Sequence, residues 1–144
     1  MCFTSRLFAG IGLVAAVMVA VTGEPEAVVI DSDSHTAYLT EFRGHSVTLV
    51  DTATHAVSRT SLNRESSFAV ALDPALHTVF LTSGAFDSIT MNDTRTHQLT
   101  ASRRTAHPYS DGHWTGGIAV DATTHEIYVI HGEHSRTIEI LAPA

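Results

Sequence analysis

The sequence predicts an all-β chain of four-stranded antiparallel blades of the β-propeller type, about three of them in an open arc, after an N-terminal hydrophobic helix. Three observations carry this expectation. One phrase returns three times: an apolar strand ending in Asp, a turn ending in His, and a second strand built around an aromatic residue. It occurs at Asp31, His35 and Tyr38, at Asp73, His77 and Phe80, and at Asp121, His125 and Tyr128. The spacings of the three aspartates, 42 and 48 residues, are those of repeat units made of short strands, which is how propeller blades show themselves in sequence. Inside each unit, apolar and polar residues alternate with a period of two, as half-buried strands require.

Residues 1–23 differ in composition from the rest. Arg6 is the only charge before Glu24, and Leu7 to Val21 is an apolar run of about 15 residues. A basic start, an apolar centre and small residues near Ala20 and Gly23 read as a signal peptide or an uncleaved membrane anchor. The run falls short of the ~20 residues that a full span needs, which favours export over anchoring through residues 7–21. A buried strand from a preceding blade is the alternative.

The first blade, about residues 24–63, should hold strands near 27–31, 36–40, 46–51 and 56–61, separated by Ser32-Asp33-Ser34, Arg43-Gly44 and Thr52-Ala53-Thr54. These separators are turn formers. The second blade, about 64–105, should hold strands near 69–73, 78–82, 88–92 and 97–101. The third, about 113–144, has strands near 117–121, 126–130 and 137–141 and lacks a fourth. Alternation nominates Val28, Ile30, Tyr38, Val47, Leu49, Val70, Leu72, Phe80, Ile89, Ile118, Val120, Tyr128, Ile138 and Ile140 as the packing between blades. Closed propellers use about four to eight blades. A chain with two complete units and most of a third should therefore leave edges open, unless it is a truncation or fragment of a longer propeller or a homo-oligomer completes the ring.

Two segments carry a more specific likeness. Ala69-Val70-Ala71-Leu72-Asp73-Pro74-Ala75-Leu76-His77-Thr78-Val79-Phe80-Leu81-Thr82 and Ser46-Val47-Thr48-Leu49-Val50-Asp51-Thr52-Ala53-Thr54-His55 resemble the repeat unit of YVTN-family β-propellers. The resemblance covers about residues 24–144. It implies a scaffold and brings no catalytic residue with it.

Charge narrows the partners. The chain has 8 Lys and Arg, all of them arginine, against 15 acidic residues, for a net charge of −7. Nucleic-acid binding depends on neutralising phosphates with basic side chains, and Arg103-Arg104 is too small a cluster to overturn an acidic surface. Cys2 is the only cysteine, so an exported portion has no internal disulfide, thiolate metal site or cysteine nucleophile.

Ten histidines invite a metal reading, because imidazole is the commonest ligand for zinc and copper. Five of them, His35, His55, His77, His97 and His125, stand four residues after a strand-ending Asp and are expected to be turn residues, where His tolerates less common backbone angles. The others are more informative. Between Asp93 and Asp121 the repeat carries six residues more than between Asp51 and Asp73, and insertions between repeats map to loops that often bind. This insertion makes His107, Tyr109, Asp111, His113 and Trp114 the candidate binding residues. His131 and His134 flank Gly132-Glu133 and are the alternative metal ligands, although the spacing matches no motif with a known mechanism. Asp31-Ser32-Asp33 fails as a calcium loop, because Phe42 stands where the bidentate Glu belongs.

Neither a G-x-S-x-G elbow nor a phosphate-binding glycine loop is present. The expectation is an exported, non-enzymatic propeller without cofactor. It would bind an unknown protein or small molecule, but no nucleic acid, in the periplasm, outside the cell or at the membrane. The alternative is a metal-binding or enzymatic propeller completed by oligomerisation.

Overall fold

The computed structural model describes residues 2–3, 16–42, 44–62, 67–83, 88–106, 115–132 and 137–143. Two short strands, β1 (Cys2–Phe3) and β2 (Ala16–Val17), pair antiparallel with Cys2 opposite Val17. The helix expected at the N-terminus is therefore not found at these positions. Val17 suits the strand, since β-branched side chains lose rotamer freedom in a helix; residues 4–15 lie outside the described residues. Among the described residues no helix is long and apolar enough to cross a membrane.

Blade 1 is the meander β3 (Pro25–Asp31), β4 (Thr36–Glu41), β5 (Ser46–Asp51) and β6 (Val57–Ser61), and blade 2 is β7 (Ser67–Asp73), β8 (Thr78–Ser83), β9 (Ser88–Asp93) and β10 (Leu99–Arg104). Blade 3 comprises β11 (Thr115–Val120), β12 (Ile127–His131) and β13 (Ile138–Leu141). All pairs are antiparallel, and the first strand of each blade shifts register near its start, at Pro25/Ala27, Ser67/Val70 and Thr115/Ile118. The strand expected at 97–101 begins later, at Leu99, because Asp93 N–H donates to the Gln98 carbonyl and holds His97 and Gln98 in the turn.

All five turns put His in the same backbone conformation, and three of them share one capping scheme. His35, His55, His77, His97 and His125 all have positive φ, between 50° and 61°, in the left-handed region that only a few non-glycine residues tolerate. The Asp that opens the turn caps it: Oδ1 of Asp51 accepts from the Ala53 and Thr54 N–H groups, Asp93 from Arg95 and Thr96, and Asp121 from Thr123 and Thr124. This side-chain mimicry of a backbone turn is what Asp offers at such a position.

Packing runs between neighbouring blades, with β3 beside β7 and β7 beside β11. Tyr38, Val47 and Leu49 of blade 1 meet Val70, Val79 and Leu81 of blade 2, with Leu62 closing the cluster. Phe80 and Ile89 of blade 2 meet Ile127 and Val129 of blade 3. Along β8, alternate residues thus serve opposite neighbours, as the pleat dictates. Four residues expected in the core, Val28, Ile30, Ile138 and Ile140, are exposed. They lie on the faces of the first and third blades that point away from blade 2. Tyr128 shares that outward face, half-buried.

Candidate functional site

In an antiparallel meander the odd and even connections lie at opposite ends of the sheet. The five Asp-to-His turns therefore occupy one end of the blades, and the connections after β4, β6, β8, β10 and β12 occupy the other. Both segments singled out in the sequence leave from this second end.

The residues that frame the insertion converge on one carboxylate. Glu139, in β13, accepts the Ala106 backbone N–H at 3.0 and 3.1 Å on its two oxygens. Its Oε2 lies 2.9 Å from Nε2 of His131, whose side chain is buried at 1% exposure, while that of Glu139 is partly buried at 11%. Thr115, the first described residue after the insertion, pairs with His131 in the β11–β12 ladder. Both flanks of the 107–114 segment are thus fixed beside His131, at the start of the 133–136 segment. His107, Tyr109, Asp111, His113, Trp114 and His134 lie outside the described residues, so of the residues named from sequence only His131 is placed.

Equivalent positions on the other blades are also polar. Glu41 ends β4 as His131 ends β12, and it is buried, bonded to Thr48 and Arg59, with Ser46 at 3.5 Å. Burial of a carboxylate is tolerated here because it is paired and hydrogen-bonded. Gly23 and Gly44 make room for it: a Cβ on either would collide with the Glu41 side chain. Ser83 holds the same place in blade 2, facing Ser88 across the ladder. One end of the array therefore carries a buried polar residue per blade.

Glu139 and Glu41 were not apparent from sequence. Glu139 alternates with Ile138 and Ile140 and reads as a solvent-facing residue if those isoleucines point inward. Its register partner Val129 is the signal that could have corrected this, because Val129 packs against blade 2.

The arrangement positions loops. Among the described residues no group of three His, Cys, Asp or Glu side chains is placed to hold a metal ion. A crevice of about 160 Å³ between blades 2 and 3, lined by Phe80, Met91, Arg103, His125, Ile127 and Leu141, is smaller than the roughly 300–1,000 Å³ of small-molecule pockets.

No family model matches the sequence, and no curated protein matches it. Solved structures do. Hydrazine synthase of Kuenenia stuttgartiensis superposes with a TM-score of 0.71 at 20% identity, over 95% of this chain and 36% of that one. The structure of U3-55K gives 0.66 at 10% identity over 85% of this chain and 37% of that one. The WD40 repeats of RRP9 give 0.67 at 10% identity over 85% and 36%. The chain thus spans about a third of each structure it matches. At these identities the likeness is one of fold, the propeller type.

Proposed function

We propose that the chain is an exported, non-enzymatic scaffold of the YVTN type that binds a protein or small molecule at the cell envelope through the 103–114 insertion. The observation that supports this is the convergence of Ala106 and His131 on Glu139, since a rigid sheet end that anchors a loop is how propeller-like frames present recognition residues. Aromatic residues in an otherwise polar segment, here Tyr109 and Trp114, are the usual anchors of interfaces. The apolar segment at residues 7–21 supports export, and the acidic charge argues against nucleic acid.

Two measurements test the reading. Fractionation of cells expressing the full chain, with N-terminal sequencing of the product, should find it outside the cytoplasm; a product that stays in the cytoplasm with Met1 intact would exclude the export part. Cross-linking in intact cells should trap an envelope partner with the native chain and lose it with the Tyr109→Ala/Trp114→Ala variant. Equal capture by both would remove the insertion from the binding surface.

A further inference from the structure

Blades 1 and 3 each leave one apolar face open, and each face is equivalent to one half of the contact between neighbouring blades. Val28 and Ile30 of blade 1 are 58% and 57% exposed. They stand three and one residues before Asp31, as Val70 and Leu72 stand before Asp73, and those two pack into the cluster between blades 1 and 2. Blade 1 therefore presents outward the surface that blade 2 offers to its predecessor. Ile138 and Ile140 of blade 3 are 61% and 54% exposed. They pair with Ile130 and Tyr128 as Ile89 and Met91 pair with Thr82 and Phe80, and Phe80 and Ile89 are buried against the following blade. Blade 3 presents outward the surface that blade 2 offers to its successor.

The polar groups repeat the match. Tyr38, the equivalent of Tyr128, reaches into the next blade to the Thr94 carbonyl and His97. Thr52 and His55 hold those two places in blade 1. His55 has φ 61° against 58° for His97, and its N–H is bonded to the carbonyl of Asp51 as that of His97 is to Asp93, each at 2.8 Å. The Tyr128 hydroxyl donates instead to Glu126 at 3.0 Å.

We infer that a second copy of this chain covers both faces, blade 3 of each copy packing on blade 1 of the other. The Tyr128 hydroxyl of one copy then turns to the Thr52 carbonyl and His55 of the other. Two such contacts related by one two-fold axis close a ring of about six blades, inside the range of about four to eight that propellers use, and three copies would exceed it. Contacts of this head-to-tail kind end in a closed ring when the rotation closes, and in a filament when it does not. The inference stands apart from the scaffold reading, because it uses neither the insertion nor the leader.

Light scattering and native mass spectrometry of the purified full chain at micromolar concentration test it. The expected mass is twice that of the chain. Ile30→Asp and Ile140→Asp each alter an exposed position, so each variant should keep its β-sheet circular dichroism while becoming monomeric. An equimolar mixture of the two should form a heterodimer, because one contact, between blade 3 of the first and blade 1 of the second, remains intact. A monomeric native chain, an assembly larger than two, a dimer that survives either variant, or a mixture that stays monomeric would each overturn the proposal.

Discussion

The Tyr38 hydroxyl of blade 1 lies 2.9 Å from Nδ1 of His97 in blade 2 and donates to the Thr94 carbonyl at 3.2 Å. The carbonyl can only accept, so the phenol proton goes to it and Nδ1 carries the hydrogen donated back. Burial, with the charges of Asp31 and Asp93 adding to it, pushes the phenol pKa up to about 12. The neutral phenol is thereby favoured in the folded state. Its contribution to stability is complete below the ordinary tyrosine value of about 10 and is lost as pH rises through about 12. An ultraviolet titration should therefore show the same rise near pH ~10 for the native chain and for Tyr38→Phe. Loss of part of that rise in the variant would mean that Tyr38 is open to solvent. Tyr38→Phe should also lower stability by about 1–2 kcal/mol, the scale of one buried hydrogen bond, read as a shift in the urea midpoint.

Phe80 is the aromatic of the repeated phrase in blade 2 and is buried between blades 2 and 3 with Ile89, Ile127 and Val129. Phe80→Ala should cost about 3–5 kcal/mol through lost burial and the cavity left behind. Leu76→Ala, at an exposed turn position, should stay within about 0.5 kcal/mol. Equal unfolding midpoints for the two variants would contradict the assigned packing.

The capping aspartates make the fold acid-sensitive. Asp51 is held below the usual carboxylate range by hydrogen bonds from Thr54 and then Ala53, Asp93 by those from Thr96 and Arg95, and Asp121 by those from Thr123 and Thr124. A depressed folded value means that the stabilisation is present above the unfolded value of about 3.9 and is lost as pH falls through the folded one. The native chain should be more stable than an Asp51→Asn/Asp93→Asn/Asp121→Asn variant at neutral pH. The difference in melting temperature should shrink below about pH 4; a difference independent of pH would place the effect in turn geometry instead of charge.

Glu139 holds the insertion to blade 3, so Glu139→Ala removes an acceptor from both the Ala106 N–H and His131. The cost should be about 1–3 kcal/mol, the scale for a buried polar group that loses its partner. Hydrogen exchange at Ala106 should accelerate, while exchange at Val79, deep in the first inter-blade cluster, should not change beyond what the lower global stability explains.

The strands and turns were legible because their signals are local. An Asp that caps its own turn and a His that accepts positive φ act within five residues, and the pleat fixes which side chains share a face. What alternation cannot specify is which of the two faces meets a neighbour. Ile118 and Val120 pack on blade 2, whereas Ile138 and Ile140, equally apolar and equally periodic, point the other way. The same reversal hid Glu139. Leu62 escaped notice for another reason: it lies just past β6, tied by its N–H to the His45 carbonyl at 2.8 Å, and is fully buried. Of the candidate site, sequence identified the insertion by its broken spacing, and only the three-dimensional register revealed what anchors it.

The close approach of Gly23 to Glu41 bears on where an exported chain ends its leader. Composition alone sets the boundary at Glu24, the first charge after the apolar run. Sterically, the folded body begins earlier, because Gly23 lies against the buried carboxylate with no room for a Cβ, and the Glu24 carbonyl accepts the Phe42 N–H at 2.8 Å. A peptidase cutting after Gly23 would strip away the lid over an interior charge. Cutting after Ala20 would leave that lid on the mature protein, together with Val21 and Thr22 as slack. On the proposed export reading, leader and first blade thus meet at a single glycine, which the blade uses as a wall against Glu41.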